Sequence, residues 1–211
     1  MSSLETIIEL NDRKRVFLLS PANAGGERGK MLLNPRAGFD LARRLQAGSA
    51  PIGEVYAFVS GLYFRGKLAY VDRFANPPPA AAPALVIAAG RGLVSPDTPI
   101  TMADFHDIAS VPIDLAEPRY RAPFERDAAA LARSLTPDAA VILLGSLATP
   151  KYLAPLLEVF SDRLLFPADF PGRGDMSRGG LMLRCARSGE ELKYVPASTT
   201  SRHGPRPPKL A

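Results

Sequence analysis

The chain has 211 residues, of which 46% are hydrophobic and 22% charged, and its mean hydropathy is close to zero. This length and composition predict one well-buried core and exclude an intrinsically disordered chain. Apolar runs stay well below the roughly 18 residues of a membrane-spanning helix, and the N-terminal charges follow the apolar residues, which is the reverse of a secretory signal.

The net charge of +5 is concentrated at the C-terminal end. Four of these charges lie after residue 191, where no acidic residue is present. That end is also rich in proline and has no apolar periodicity. We therefore predict a single domain over residues 1–197 and a basic, proline-rich, disordered tail over residues 198–211.

Cysteine and histidine usage restricts the chemistry and the compartment. The single cysteine, Cys185, cannot form an intramolecular disulfide, so we expect a cytoplasmic protein. One cysteine and one histidine outside the tail do not make a zinc site, and we expect neither a metal nor a cofactor. A membrane partner is not expected, and the sequence leaves the oligomeric state open.

Short apolar runs rich in Val, Leu and Ile predict strands that are buried on both faces of a parallel sheet. In chain order they cover residues 15–20, 54–60, 84–89, 140–146 and 163–167. Segments with helical periodicity lie at residues 38–47, 62–75, 120–135 and 149–160.

This alternation predicts an α/β fold, a three-layer sandwich with a mainly parallel central sheet. The two chain ends have a different pattern. ETIIEL before Asn11-Asp12, and LMLRCA before Ser188-Gly189, predict antiparallel hairpins. Antiparallel edge strands are common on sheets of this type.

The segments that follow the predicted strands are rich in Gly, Ser, Thr and Arg. In an open α/β sheet, ligands bind outside the carboxyl ends of the strands, where helix N-termini present free N–H groups to anions. The sequence therefore predicts an anion-binding or nucleotide-binding site at this edge.

The segment FPADFPGRGDMSRGGLMLR, residues 166–184, is the strongest candidate within that edge. Its arginines can form paired hydrogen bonds with phosphate or carboxylate oxygens, and its glycines allow close approach of the backbone. Asp175 is the ion-pair partner of these arginines, accepts a hydrogen bond from a ligand, or acts as a general base. The predicted ligand-binding residues here are Arg173, Gly174, Ser177 and Arg178.

Other candidates lie in other segments. Arg91 directly follows a buried strand and must find a partner or solvent. Asp97 either forms a Ser-Pro-Asp turn or acts as an acid–base group or ribose contact, and Tyr63 could stack on a base. Lys30 lies in a glycine-rich loop that lacks the P-loop pattern. The remaining predicted ligand or phosphate contacts are Lys30, Ser60, Tyr63, Arg91 and Ser146.

The stretch IAAGRGLVSPDTPI, residues 87–100, resembles a pattern in the uracil-DNA-glycosylase-like domain of archaeosine synthase. There, a strand ends in a small-residue turn followed by Gly-Leu-Val-Pro and an acidic residue. The matching residues here are Gly92, Leu93, Val94, Pro96 and Asp97, with Ser95 inserted. SGLYFRGKLAY, LLGSLATPKY and FPGRGDMSRGGLMLR resemble a bacterial family of uncharacterised proteins.

The glycosylase resemblance implies an α/β sandwich related to enzymes that act on nucleobases. It does not imply the usual excision chemistry. The Asp-Pro-Tyr-His type motif that activates water is missing, because the corresponding loop reads Pro-Ala-Asn-Ala at residues 21–24. The His-Pro-Ser type loop is missing as well.

Three functions remain open at this point. The first is a nucleotide-directed or nucleic-acid-directed protein that acts on a nucleobase or an N-glycosidic bond, with arginines holding phosphate. The second is a non-catalytic binding module whose Arg/Asp loop is a structural ion-pair network. The third is a hydrolase with Ser60 or Ser146 as nucleophile and His106 as base, although neither serine lies in a Gly-x-Ser-x-Gly turn.

Overall fold

The computed structural model describes residues 7–10, 12–79, 81–147 and 150–199. Its strands are β1 (Arg15–Leu19), β2 (Ala50–Pro51), β3 (Ala84–Ala88), β4 (Gly92–Val94), β5 (Pro99–Ile100), β6 (Ala140–Leu144), β7 (Leu164–Pro167) and β8 (Tyr194–Pro196). Its α-helices are α1 (Glu27–Leu33), α2 (Asp40–Ala47), α3 (Ile52–Ser60), α4 (Leu62–Phe74), α5 (Met102–Ser110), α6 (Pro118–Ser134), α7 (Pro150–Phe160) and α8 (Asp175–Ser188). A short 3-10 helix, Ser161–Arg163, follows α7.

Within the described residues, six strands form one sheet in the order β4-β3-β1-β6-β7-β8. The central pairs are parallel, and the edge strands β4 and β8 are antiparallel to their neighbours. Every residue of β1 and β6 is buried, which explains their unbroken apolar sequences. The predicted three-layer α/β fold is confirmed, with α4 packed on α8 and α6 on α7.

The prediction of a strand at residues 54–60 is wrong, because this segment forms α3. Its buried residues Ile52, Val55 and Tyr56 recur at helical spacing, and the helix packs against α4. A short apolar run fits a buried strand and a buried helix equally well until its packing partner is known.

The predicted C-terminal hairpin is also wrong, because LMLRCA belongs to α8. Gly189, at φ +77°, ends that helix in the left-handed conformation and donates its N–H to the Cys185 carbonyl. The chain then enters β8, which pairs with β7. At the other end, Ile8 forms an antiparallel bridge with Tyr194 of β8, so this residue does not pair with β1 as the predicted hairpin requires. Residues 1–6 and Asn11 of that hairpin lie outside the described residues.

Helix α4 is hydrogen-bonded to both ends of β1. At the start of the strand, the buried Arg15 donates from Nε to the Phe74 carbonyl at 2.8 Å, and its Nη2 pairs with Glu191 at 2.9 Å. Just beyond the end of the strand, Ser20 accepts hydrogen bonds from Lys67 of α4. These contacts set the position of α4 along the central strand.

Most of the predicted tail, residues 200–211, lies outside the described residues. Ser198 and Thr199 form a turn after β8, and the Ser198 hydroxyl donates to Asp162 at 3.3 Å. Over the described part of the chain, every helix is too short or too polar to cross a lipid bilayer.

Candidate functional site

A cavity of about 440 Å³ lies at the carboxyl ends of β1 and β3. Its walls are residues 21–25 after β1, Ala89 after β3, residues from the end of α5 and the loop that follows, Tyr56 of α3, and Lys151 and Tyr152 of α7. Most of these side chains are small or aliphatic, with a few polar groups among them. This is the usual composition of a small-molecule site, and it lies at the edge where the fold class places ligands.

Tyr56 is fully buried in the wall of this cavity. Its ring packs edge-on against Phe64, with 5.3 Å between the ring centroids. Burial raises the pKa of Tyr56, which keeps the phenol neutral. Among the described residues its hydroxyl finds no hydrogen-bond partner. An unpaired buried hydroxyl costs about 1–3 kcal/mol, so its retention here calls for an explanation.

Lys67 of α4 is buried behind the cavity and bonded to Ser20. Its Nζ donates to the Ser20 Oγ at 2.7 Å and to the Ser20 carbonyl at 3.0 Å, and it lies 4.1 Å from the centroid of the Tyr63 ring. In the described part of the chain, no carboxylate forms an ion pair with this amine. The pKa of Lys67 is lowered to about 7, chiefly by burial; Asp175 opposes this shift and Arg178 adds to it.

Tyr152 extends this polar cluster to the cavity wall. Its hydroxyl accepts from the Ser146 N–H and donates to the Ser146 carbonyl, both at 2.8 Å. Burial raises the pKa of Tyr152, against the opposing effect of these hydrogen bonds. Lys67 therefore bonds to the residue that follows β1, and Tyr152 bonds to the backbone just beyond β6.

Arg173 and Arg178 lie in the segment of residues 168–178, the Gly-Arg loop, and both bind atoms of this same segment. Arg178 is buried, donates from Nε to the Phe170 carbonyl at 3.3 Å, and lies 3.6 Å from the exposed carboxylate of Asp175. Arg173 donates to the Asp169 carbonyl at 2.8 Å and to the Ser177 Oγ at 3.3 Å. The ion pair between Arg178 and Asp175, one of the three predicted alternatives for Asp175, is present in the structure.

The predicted Gly174 is the N-cap residue of α8, and a Cβ there would meet open space. Tyr63 is buried between Lys67 and Arg178, and its hydroxyl finds no partner among the described residues. The Gly-Arg loop and the buried lysine therefore meet at Tyr63, on the side of α4 that faces α8.

Arg91 lies next to the cavity. It occupies the tight turn between β3 and β4 and forms an ion pair with Asp104 of α5. It lines an open cleft of about 480 Å³, together with Ser110 and Arg119, and this cleft shares Ala89, Ile108 and Val111 with the cavity. The predicted phosphate-binding role of Arg91 stays a prediction.

Three other predicted residues do not line the cavity. Asp97 is exposed beyond the end of β4, and its backbone N–H donates to the Ser95 Oγ at 3.2 Å. Lys30 is exposed and forms an ion pair with Glu27 at 3.0 Å. Ser60 is half-buried at the end of α3. Of the predicted residues, Tyr63, Ser146 and Arg178 lie in the cluster around Lys67 and Tyr152.

Tyr56, Ser20, Lys67 and Tyr152 are not among the predicted ligand contacts. Lys67 did carry a signal, because it stands on the apolar stripe of α4 between Phe64 and Val71, where a charged residue must be paired or functional. Ser20 is the polar residue that directly follows a fully buried strand. Tyr56 lies in the segment predicted as a strand, so the predicted direction of its side chain differs from the one it has in α3.

No family model, curated protein or solved structure matches the chain. The resemblance of residues 87–100 to the glycosylase-like domain therefore stays a prediction, and function is argued from the site itself. No cluster of three or more His, Cys, Asp or Glu side chains suited to a metal ion is found within the described ranges.

Proposed function

We propose that this protein binds a nucleotide, with the base in the carboxyl-edge cavity and the phosphate in the adjoining cleft. The observation that carries this proposal is Tyr56 in the cavity wall, whose hydroxyl is fully buried and lacks a partner among the described residues. A ligand that hydrogen-bonds to this group removes its desolvation penalty, so ligand binding explains why the polar atom is there.

The chemistry of the cavity favours a flat molecule with polar edges. Ala22, Ala89 and Ile108 provide aliphatic walls, and the Asn23 side-chain amide provides both a donor and an acceptor. The edge of a nucleobase presents the same mixture of donors and acceptors. A volume of about 440 Å³ falls within the range of sites for small molecules.

The adjoining cleft favours an anion. Arg91 and Arg119 line it, and a guanidinium group has five N–H donors. Arg91 can therefore keep its bond to Asp104 while it donates to a phosphate oxygen. Because the cleft and the cavity share three wall residues, one molecule can occupy both.

The direct test is isothermal titration calorimetry with the 5′-monophosphates of adenosine, guanosine, cytidine and uridine. We expect at least one to bind, and we expect Tyr56→Phe and Arg91→Gln each to weaken it by about tenfold, the value of one good hydrogen bond. Arg173→Ala is the matched control, because Arg173 binds its own loop, and it should leave the affinity unchanged. Lack of binding by all four nucleotides would overturn the proposal.

A second candidate is a binding module in which the Gly-Arg loop is purely structural. It is favoured by the bonds that Arg178 makes to Phe170 and Asp175, which leave this buried side chain engaged with its own segment. This candidate predicts that Arg178→Ala lowers stability and has no effect on ligand affinity at a concentration of folded protein matched to the wild type.

A further inference from the structure

We propose that the protein has a second binding site, for an aromatic phosphate ester, in an open cleft between α1, α2, α3 and the start of α4. This α3 cleft has a volume of about 540 Å³, and among the described residues it shares no wall residue with the carboxyl-edge cavity. Helix α3 separates the two, since Tyr56 lies in the cavity wall while Ala57 and Phe58 line the cleft. The inference goes beyond the proposed function and stands independently of it.

Two arginines with available donors line the α3 cleft, Arg28 of α1 and Arg65 of α4. Within the part of the chain that the structure describes, neither forms an ion pair, and Arg28 donates only to the Phe58 carbonyl, at 3.3 Å from Nη1. A guanidinium group has five N–H donors, so most donors of both side chains are available to a ligand.

The carboxylates of the cleft are bound by a third arginine. Asp40 and Glu54 both line it, and both form ion pairs with Arg44, the Asp40 pair at 3.0 Å. These carboxylates are therefore engaged with Arg44 and not with Arg28 or Arg65. The three guanidinium groups and two carboxylates leave this surface with an excess positive charge, which favours an anionic ligand.

Gly61 brings the two arginines to the same end of the cleft. It joins α3 to α4 at φ +61°, and a Cβ there would lie 2.5 Å from the Arg28 Nη1, so the missing side chain makes room for this guanidinium group. Arg65 lies one turn further along α4, and its N–H donates to the Gly61 carbonyl at 3.2 Å. Side chains on a helix lean toward its N-terminus, so Arg65 is directed back over this turn.

Phe39 and Phe58 form the aromatic wall of the cleft. Their rings are stacked, with centroids 5.0 Å apart and planes 17° from parallel, and both side chains are half-buried. Such a wall favours a ligand with an aromatic ring. A phosphate ester presents three terminal oxygens that two guanidinium groups can bind together, whereas one guanidinium group is enough for both oxygens of a carboxylate. The ligand class that fits both parts of the cleft is therefore a phosphate ester with an aromatic group next to the phosphate.

The first experiment locates the site with phenyl phosphate, which joins a phosphate ester to one aromatic ring. Titration of the ¹⁵N-labelled full chain at physiological salt is followed by amide chemical shifts. We expect saturable changes that are largest at Phe58, Gly61 and Arg65. Changes confined to cavity residues such as Ala22 and Ala89 would overturn the second site, and so would the lack of any saturable change. Neither result decides nucleotide binding, which the four monophosphates test separately.

The second experiment uses substitutions to separate this site from general electrostatic attraction. Arg28→Gln and Arg65→Gln should each weaken the binding of phenyl phosphate by about tenfold or more, since each removes charged hydrogen bonds to the phosphate. Arg43→Gln is the matched control, because it removes the same charge from an exposed arginine of α2 that does not line the cleft. It should change Kd by less than about twofold. Equal losses in all three variants would overturn the site.

Two comparisons test the ligand class. Phenyl phosphate should bind about threefold or more tightly than inorganic phosphate, and Phe58→Leu should remove this advantage because the stacked wall is lost. Benzoate has the same ring and only two anionic oxygens, so it should bind about tenfold more weakly than phenyl phosphate. Equal affinities for all three anions would overturn the ligand class and with it the proposal.

Discussion

Gly66 of α4 and Gly179 of α8 bring the backbones of these two helices into direct contact. A Cβ atom at Gly66 would lie 2.6 Å from the carbonyl oxygen of Gly179, and one at Gly179 would lie 2.6 Å from the carbonyl oxygen of Leu62. Neither neighbour is a side-chain end that could move aside. The pair explains why two residues of low helix propensity stand inside these helices, and it brings Lys67 close to Arg178.

Substituting either glycine by alanine should therefore destabilise the protein. We expect Gly66→Ala and Gly179→Ala each to lower the free energy of unfolding by about 1–3 kcal/mol, because α4 and α8 must separate to accommodate the methyl group. Gly180→Ala is a matched control on the same helix, where a Cβ meets open space and alanine should stabilise by up to about 1 kcal/mol. Urea denaturation measures all three. Equal effects at positions 179 and 180 would contradict the backbone contact.

Lys67 should make the stability of the protein depend on pH in a predictable direction. Its pKa in the folded protein is about 7, below its ordinary value of 10.5, so between these values the unfolded chain holds a proton that the folded protein has released. Stability therefore rises with pH across this window, and the contribution is flat below pH 7.

We expect the free energy of unfolding of the wild type, relative to Lys67→Met, to increase by about 2 kcal/mol between pH 7 and pH 9. The comparison between the two proteins removes contributions from other groups that titrate in this range. Denaturation curves at pH 6, 7, 8 and 9 measure it. A constant difference over this range would show that Lys67 does not titrate there.

Removing the hydroxyl group should affect the stability of the protein differently at two buried tyrosines. Tyr70 shares a 2.7 Å hydrogen bond with the Tyr194 hydroxyl and accepts from the Leu192 N–H at 2.8 Å, so Tyr70→Phe should cost about 1–3 kcal/mol. The Tyr56 hydroxyl lacks a partner among the described residues, so Tyr56→Phe should be neutral or stabilising without ligand. Thermal denaturation of both variants checks this. Similar losses at the two positions would mean that Tyr56 is hydrogen-bonded in solution.

Substituting the two arginines of the Gly-Arg loop should reduce the stability of the protein by different amounts. Arg178 is buried and packs against Phe170, with its guanidinium carbon 5.6 Å from the ring centroid. Arg178→Ala should therefore destabilise by about 2–4 kcal/mol, through lost packing and unpaired loop groups. Arg173 is more exposed, and Arg173→Ala should cost less than about 1 kcal/mol. Chemical denaturation measures the loss of stability in both variants. A larger loss for Arg173→Ala than for Arg178→Ala would mean that Arg173 contributes more to the packing of the loop.

The central sheet could be predicted because its strands are buried on both faces, which leaves apolar runs that no loop resembles. The prediction for residues 54–60 failed because the five apolar and aromatic residues at 55–59 fit a strand and a helix alike, and only packing against α4 decides between them. The prediction of a C-terminal hairpin failed because Ser188-Gly189 has the composition of a hairpin turn. In the structure, Gly189 ends α8.

The cavity lies at the edge of the sheet where the sequence predicts a site, but Arg173, Gly174 and Ser177 do not line it. Arginine and glycine are easily noticed in a sequence, so the sequence pattern favours the Gly-Arg loop as the centre of the predicted site. The contact between Ser20 and Lys67 joins residues 47 positions apart and depends on how α4 lies along β1. The direction of the Tyr56 side chain depends in the same way on a helix that the sequence did not reveal.

The attachment of α4 to both ends of β1 has a consequence for ligand binding. Arg15 holds the last residue of the helix at the start of the strand, and Ser20 holds Lys67 beyond its end. The helix cannot slide along the strand without breaking hydrogen bonds at both places. The polar groups behind the cavity are thus preorganised before any ligand arrives, so binding need not consume free energy to assemble them.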